Sequence, residues 1–530
     1  MTTRTLRFSI ILLVLVAMGL AFWLFLGRDK NIGHSAIEDL LTVGLVGRGD
    51  FSNIDPAEAS VEAPIIVVWN IYDRLVELGP DGLLIPSLAE DFSASEDLME
   101  WRFNLRSGVR FNGNASRQVT AQDVKKSLER ALRQPGYARS LFGDIVVGAS
   151  EFIEGDISEV SGIVVQNSTT VVFRLMRPYA YLPERLATSF ASVVQTDANS
   201  GNGLPPPGSG DYQLVEWDNV EGRVELKRVR SSQQTEAGAV APDRINLRII
   251  DNEVLAAQEL SSGGIDWLEA TSSAGNVLKG LDAGQVFVRT FDHPEIRMLA
   301  FNQQAAPFNG PDGSAIARAL NFAIDRDTVV DLLGGGRVAP GPVPVAPYET
   351  YGLPYDPDRA VALLKGIESD NKSLTLLVEP VDEAKVIAEA LVAQWKRVGL
   401  NVTAVPGRAD FFERAVNGDY QMALAYYGPF VQTPEQYLWP FRKDAIPVPN
   451  VMRFESPDFE HGLTEYTSHY TPDGKVSQAL AGILAGMMQD PPAGWIVKPP
   501  RFVATGQDLM VDRQAGIPRF ITLRRAEHNK

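Results

Sequence analysis

SLTLLVEP (373–380), DEAKVIAEALVAQWKRVG (382–399) and LNVTAVPG (400–407) follow one another closely in the chain. The first and last are short apolar runs closed by Pro or Gly, and the middle one is apolar at helical spacing, so the stretch reads strand–helix–strand. DFFERAVNG (410–418) and YQMALAYYG (420–428) repeat helix then strand. Strands that alternate with helices predict a mainly parallel sheet with helices on its faces.

Outward from this core the character changes. WRFNLRSG and VRFNG (101–113) alternate as strands around a Gly turn, and YQLVEW with GRVELKRV (212–229) reads as a hairpin. LTVGLVG (41–47), TTVVFRLMRP (169–178) and DRINLRII (243–250) read as further strands. APIIVVWNIYDRLVEL (63–78) is apolar at helical spacing up to the turn cluster Gly79-Pro80-Asp81-Gly82. Thr120, with Asp123 three residues on, opens a helix, because both side chains can take orphan N–H groups at a helix start. Ala315 to Leu333 is predicted as one amphipathic helix ended by Gly334-Gly335-Gly336. The fold class is therefore α/β, with lobes of different character.

The chain of 530 residues, 45% hydrophobic and 22% charged, is far from a disordered composition and too long for one core. Forty-nine basic and 66 acidic residues leave a net charge of −17. A body that acidic repels phosphate backbones, which excludes nucleic acid as a partner. There is no cysteine, so disulfides, thiolate metal sites and cysteine nucleophiles are all excluded. The five histidines, His34, His293, His461, His469 and His528, show no metal-binding spacing and read as solvated loop residues. Neither Gly-x-Ser-x-Gly nor a P-loop is present. Three prolines after Gly201-Asn202-Gly203 forbid the helix that a dinucleotide loop must open. No catalytic residues, no cofactor and no metal are expected, and binding is favoured over catalysis.

Phe8 to Gly27 is a run of twenty uncharged residues flanked by Arg4, Arg7, Arg28 and Lys30. At ~1.5 Å per residue it spans a bilayer core and exceeds the usual secretory apolar region. An uncleaved inner-membrane anchor is favoured over a signal peptide cleaved after Gly33-His34-Ser35. Either way the remainder is one exported body.

Four segments together resemble the family 5 solute-binding proteins of ABC importers, the peptide- and nickel-binding group. The first runs from Ile71-Tyr72-Asp73-Arg74-Leu75 through Ile85-Pro86-Ser87-Leu88-Ala89-Glu90 to Trp101–Gly113 and Val119–Val124. The second is Gly208-Ser209-Gly210-Asp211-Tyr212 with Trp217, the third Leu260–Asp266, and the fourth Phe301-Asn302, Pro307-Phe308 and Ala319–Arg326. The resemblance implies a two-lobe periplasmic-binding fold of type II with an extra domain, closing about a hinge on a ligand. It also implies a membrane permease and ATPase as partners and delivery of a peptide-like or other small organic solute by a monomer in the periplasm. The expected division is residues 1–35 as the anchor or signal segment, 36–60, 179–255 and 481–530 as lobe I, 61–178 as the extra domain and 256–480 as lobe II. Gly108, Gly113 and Gly210 suit turns of positive φ, and Asp266 and Asp325 suit local caps or pairs.

Peptide binders of the family carry an Asp that pairs with the ligand's α-amine. Here the matching stretch is Ala425-Tyr426-Tyr427-Gly428-Pro429-Phe430-Val431-Gln432-Thr433-Pro434, which puts Phe430 at that place, and no Asp lies between Tyr420 and Arg442. The stretch therefore offers an apolar or stacking surface rather than an amine anchor. Tyr426, Tyr427, Phe430 and Trp439 are candidate ligand contacts, with core packing as the alternative for each. Arg48, Asp50 and Phe51 follow the first strand, in a loop that lines the cleft in the family, and Asn302 completes the candidate set. A hydrolase on the same fold and a membrane-tethered sensing or interaction protein are the alternatives. The ligand itself is not legible.

Overall fold

The computed structural model describes residues 40–525, apart from 48, 80–82, 114–115, 199–203, 230–240, 273–276, 279, 281–285, 369, 470–474, 508 and 515–516. The expected membrane segment, Phe8 to Gly27, lies outside the described residues, among which no helix is long and apolar enough to cross a membrane.

The strand–helix–strand reading holds: Ser373–Val378 and Asn401–Pro406 pair in parallel, joined by the helix Asp382–Arg397. Met422–Tyr427 lies parallel on the other side of Ser373–Val378. This half of lobe II is parallel because each connection carries a helix. The sheet is nonetheless mixed. Ile296–Phe301 pairs antiparallel with Met422–Tyr427 and with Ala493–Lys498, and Arg337–Val338 closes the edge.

Lobe I is a seven-stranded sheet in the order Phe287–Phe291, Arg501–Thr505, Trp267–Ala270, Leu40–Leu45, Arg244–Ile249, Arg223–Arg228, Tyr212–Asp218. Leu40–Leu45 is parallel to both neighbours, and the outer strands are antiparallel. Residues 61–71 were expected in the extra domain. The helix Glu62–Ile71 instead buries Ile66, Val67 and Val68 in the lobe I core with Leu41, Val43 and Leu247.

The extra domain is a four-stranded antiparallel sheet, Ala89–Ala94, Glu100–Leu105, Thr170–Arg174 and Ile163–Asn167, covered by the helix Ala121–Arg133. Its apolar core runs on without a break into Tyr437, Trp439, Phe459 and Tyr466 of lobe II. Tyr181 stacks on Tyr466 at 5.1 Å, and Ala180 N–H donates to the Thr467 carbonyl at 2.8 Å.

Several expectations are corrected. The helix expected over 63–78 ends at Ile71, and Val76–Leu78 pairs as a strand with Leu84–Pro86. The chain turns there against Gly208 and Gly210. A Cβ at Gly208 would stand 2.2 Å from the Ile71 carbonyl oxygen, so this glycine pair serves close backbone approach rather than positive φ. The single helix expected over 315–333 is two, Gly313–Phe322 and Arg326–Leu332. Asp325 breaks it by capping the second, accepting from Thr328 N–H at 3.2 Å and Thr328 Oγ1 at 2.8 Å. Asp266 pairs at long range, accepting from Thr42 N–H at 2.9 Å.

The chain passes between the two large sheets twice, over residues 292–295 and at Pro499-Pro500. Strands Trp267–Ala270 and Phe287–Phe291 thus belong to lobe I, and Ala493–Lys498 to lobe II, against the expected division. Among the described residues these two adjacent crossovers are the only direct backbone links between the two sheets, an arrangement suited to a hinge.

Candidate functional site

Between the lobes lies a cavity of about 600 Å³. It sits at the carboxyl ends of parallel strands: Val46 and Gly47 beyond Leu40–Leu45, Asp251 beyond Arg244–Ile249, Glu379 beyond Ser373–Val378, and Tyr426 at the end of Met422–Tyr427. Strand ends with diverging connections leave such a crevice in open α/β sheets. The first crossover supplies His293 and Glu295, the strands that follow the two crossovers supply Arg297 and Arg501, and the helix Asp382–Arg397 supplies Glu383 from its first turn.

The floor is a buried ionic network. Arg297 Nη1 donates to Glu379 Oε2 at 2.7 Å and Arg297 Nε to Glu383 Oε1 at 2.5 Å, while Glu295 Oε1 lies 3.5 Å from Nη2. Arg501 donates to Glu295 and approaches Glu383 at 3.5 Å. Ser272 of lobe I donates its hydroxyl to Glu383 of lobe II, a direct bond across the cleft. Burial favours the neutral form of Glu295, but Arg501, Arg297 and His293 reverse this and hold it below the usual carboxylate range. Burial opposes the charge on Arg297 as well, and Glu295, Glu383 and Glu379 outweigh it and raise its pKa. Glu379 goes the other way. Burial raises its pKa, and Arg297, shared with two other glutamates, does not fully offset that. His293 is not a solvated loop residue. It is only 8% exposed, with Nε2 3.4 Å from Glu62 Oε1 at the start of a lobe I helix.

The candidate residues separate according to strand alternation and burial. Tyr426 lines the cavity with half of its side chain exposed, and the Arg297 guanidinium lies 5.3 Å from its ring centre. Tyr427, next in the strand, faces away, as a period of two requires, and donates its hydroxyl to the Gln436 carbonyl at 2.7 Å. Phe430 lines the cavity on one side and packs on the other in an aromatic cluster, 4.8 Å from Phe190 and 5.1 Å from Tyr137 between ring centres. Trp439 is buried in that cluster behind Phe430. Phe51 is buried in the lobe I core and accepts from Trp217 Nε1 at 2.8 Å through its carbonyl. Asp50 is exposed and caps Ser52 N–H at 2.9 Å, and hydrogen bonds from Ser52 lower its pKa. Asn302 follows the far end of Ile296–Phe301 and donates to the carbonyls of Gly418 and Tyr420, both at 2.9 Å. Arg48 lies outside the described residues, although its neighbours Gly47 and Gly49 line the cavity.

The sequence reading missed Glu295, Arg297, Glu379, Glu383 and Arg501. Glu379 and Glu383 had a legible sign, since they close a strand and open the next helix on the side where α/β sheets bind ligands. The crossover residues had none, because the crossing is a matter of strand pairing. Among the described residues no group of three His, Cys, Asp or Glu is placed to hold a metal ion.

Residues 84–446 match the family described as bacterial extracellular solute-binding proteins, family 5 Middle. The probable D,D-dipeptide-binding periplasmic protein of Escherichia coli (strain K12) is 26% identical over 439 residues, 78% of this chain and 80% of that protein. Heme-binding protein A of Haemophilus influenzae is 25% identical over 430 residues, 74% of this chain and 76% of that protein. In fold, the chain is similar to the ABC transporter-associated periplasmic binding protein of Helicobacter pylori in complex with the peptide STSA. The TM-score is 0.73 at 21% identity, covering 92% of this chain and 98% of that one. It is equally similar to the Campylobacter jejuni protein in complex with Ni(L-His), with a TM-score of 0.74 at 17% identity over 92% of this chain and 100% of that one. The fold is that of the type II periplasmic binding proteins.

Proposed function

Since the chain belongs to the family 5 bacterial extracellular solute-binding proteins, we propose that it is the substrate-binding component of an ABC importer. It captures a peptide-like or other small organic solute between its lobes and hands it to a membrane permease coupled to an ATPase. The observation that carries this reading is the cavity at the two crossovers, where about 600 Å³ is enclosed by both lobes. That is the size of a typical small-molecule site, and a pair of adjacent crossovers lets the lobes close on its contents. The protein works in the periplasm. The run Phe8 to Gly27 tethers it to the inner membrane, and it acts there as a monomer and a binder, not a catalyst. Binding is supported further by relatives that bear the names of binding proteins.

Ligand binding to the closed form stabilises the native state by RT ln(1 + [L]/Kd), about 2.7 kcal/mol at a hundredfold excess over Kd. Extraction of the full chain, identification of co-purified small molecules by mass spectrometry and re-addition of the one found is expected to raise the melting temperature. The radius of gyration in solution scattering is expected to fall. Steady turnover of that molecule, abolished by a single substitution, would replace this reading with an enzyme.

A further inference from the structure

The extra domain touches both lobes, but the chain ties it to only one. Among the described residues the backbone passes between the extra domain and lobe I twice, after Ile71 and before Tyr212, and never between the extra domain and lobe II. Polar bonds reinforce the tie to lobe I. Arg130 donates to Asp55 at 2.9 Å, Asn112 N–H to the Gly208 carbonyl at 2.8 Å, and Val194 N–H to Ser127 Oγ at 2.9 Å. When lobe II swings about the two crossovers, an interface held by backbone stays whole, whereas one held by side chains is free to part.

The dock of the extra domain on lobe II is built as a contact that parts and re-forms. Each face keeps a counter-ion of its own. Asp144 lies 3.4 Å from Arg177 and 3.5 Å from Arg185 within the extra domain, and Asp444 lies 2.5 Å from Arg442 within lobe II. In this cluster two guanidiniums and one carboxylate of the extra domain face one guanidinium and two carboxylates of lobe II, so the faces carry opposite net charge. Across the dock Arg185 donates to Glu435 at 2.6 Å, Arg442 to Asp144 at 2.7 Å and Arg177 Nη1 to Thr467 Oγ1 at 3.2 Å. Burial favours the neutral form of Glu435, but Arg185 and Arg442 keep its pKa below the usual carboxylate range, so the pair is fully ionic. Arg185 Nε, the Tyr179 hydroxyl and Gln436 Oε1 are buried there without a hydrogen-bond partner, which costs the docked state free energy and eases its release.

The dock is joined to the cavity wall. Gly428, Pro429 and Phe430 line the cavity, and the helix Pro434–Leu438 that follows them carries Glu435. Phe430 closes on Tyr137 and Phe190 from across the dock, so docking completes one side of the cavity. We propose that the dock is a latch on the cleft: lobe II releases the extra domain when the cleft opens, and re-forming the Arg185–Glu435 and Arg442–Asp144 pairs holds the cleft shut. The proposal rests on the reading of the chain as a solute-binding protein whose lobes close.

The test uses the full chain, which has no cysteine, so introduced cysteine pairs carry spin labels without background. Leu255→Cys with Val386→Cys reports lobe I against lobe II, Glu154→Cys with Phe412→Cys the extra domain against lobe II, and Glu154→Cys with Val220→Cys the extra domain against lobe I, all at exposed positions. Distances are measured by pulsed electron resonance with and without Glu435→Gln. Loss of this charge-assisted bond is expected to raise the ratio of open to closed cleft about 10- to 100-fold. A longer distance should gain population in the first two pairs and not in the third. Arg177→Gln removes one bond across the dock at a partly exposed side chain and should shift the same two pairs less. Melting curves check that both variants fold, and Arg177→Gln alone decides the matter if Glu435→Gln does not. Distances unchanged in every folded variant, or a longer distance in the third pair while the second holds, would overturn the latch. The filtrate released by heating the purified chain, added to dialysed wild type, separates the two readings. A cleft distance that shortens with the filtrate but answers to neither variant overturns the latch and leaves solute binding intact. A cleft distance that changes with neither filtrate nor variant counts against the solute-binding reading itself, and the latch with it.

Discussion

The ion pairs that dock the extra domain onto lobe II and the ion pairs that floor the cleft use the same residue types under different bookkeeping of charge. At the dock, Arg185 donates to Glu435 at 2.6 Å with both side chains almost fully buried, and Asp144 lies between Arg442 at 2.7 Å, Arg177 at 3.4 Å and Arg185 at 3.5 Å. Asp444 takes the other side of Arg442 at 2.5 Å. Three arginines thus meet three carboxylates, and the space around them is filled by an apolar core. In the cleft three glutamates meet two arginines, and the unfilled side is a cavity. A buried network holds a structure only when each member is satisfied. The dock is balanced in charge and fastens two domains, although Arg185 Nε has no hydrogen-bond partner there, as Arg501 Nε and Nη1 have none in the cleft.

The largest expected effect is at the dock. Glu435→Ala strands the Arg185 guanidinium in a buried site, and denaturant unfolding should show a loss of about 3–5 kcal/mol. Glu379→Ala, which relieves a crowded carboxylate, is expected to stay within about 1 kcal/mol of wild type. Similar losses for the two variants would erase the distinction drawn between the clusters.

The aromatic residues allow the same comparison at a smaller scale. Phe430 packs against Tyr137, Phe190 and Trp439, and Phe430→Ala should cost about 2–3 kcal/mol, below the value for a fully buried phenylalanine because one side of the ring meets the cavity. Tyr426→Ala, at a half-exposed position, should leave the melting temperature nearly unchanged, with an effect near 0.5 kcal/mol or less. A calorimetric melt of both variants separates a wall that is also core from a wall that only borders the cavity.

A further difference is a pH dependence of opposite sign in the two clusters. Burial favours protonated Asp144, but Arg185, Arg442 and Arg177 prevail and hold it at about 2, below its usual 3.8. A depressed carboxylate contributes stability that is present above the unfolded value and is lost as pH falls through the folded one. Asp144→Asn should thus cost up to about 2 kcal/mol at pH 7, with the gap to wild type closing as the pH is taken from about 4 toward 2. Glu379 has a raised value, so its charged form costs stability at neutral pH, and protonation relieves this as pH falls through that raised value. Urea midpoints of wild type, Asp144→Asn and Glu379→Gln across this range test both signs. A Glu379→Gln variant that loses stability at pH 7 and regains it in acid would contradict the assignment.

Local patterns in the chain were a good guide wherever neighbours in sequence settle the structure. The capping box at Thr120 forms, with Asp123 Oδ2 accepting from Thr120 N–H at 2.9 Å and from its hydroxyl at 2.8 Å, because both partners lie within one turn. The strand–helix–strand run from Ser373 to Pro406 forms because its apolar spacing admits one period at a time. The candidate site was legible only in part. Tyr426 and Tyr427 are adjacent and alike in the sequence, and only the packing of lobe II decides that the first turns to the cavity and the second to a carbonyl. Asn302 follows a strand that passes the cleft, but it stands at the other end.

The sequence by itself determined the α/β class, the family resemblance, the absence of thiol chemistry and the loss of an aspartate from residues 420–442. These depend on composition and short-range order, which the chain carries at every point. Tertiary structure alone decided which lobe each outer strand joins and that carboxylates reach the cleft from strands and crossovers far apart in the chain. Glu295 and Arg501 are 206 residues apart, and Ser272 and Glu383 are 111 apart, yet each pair is in contact. Pairings at that separation are set by which strands share a sheet and by how two sheets face each other, and no local periodicity encodes either.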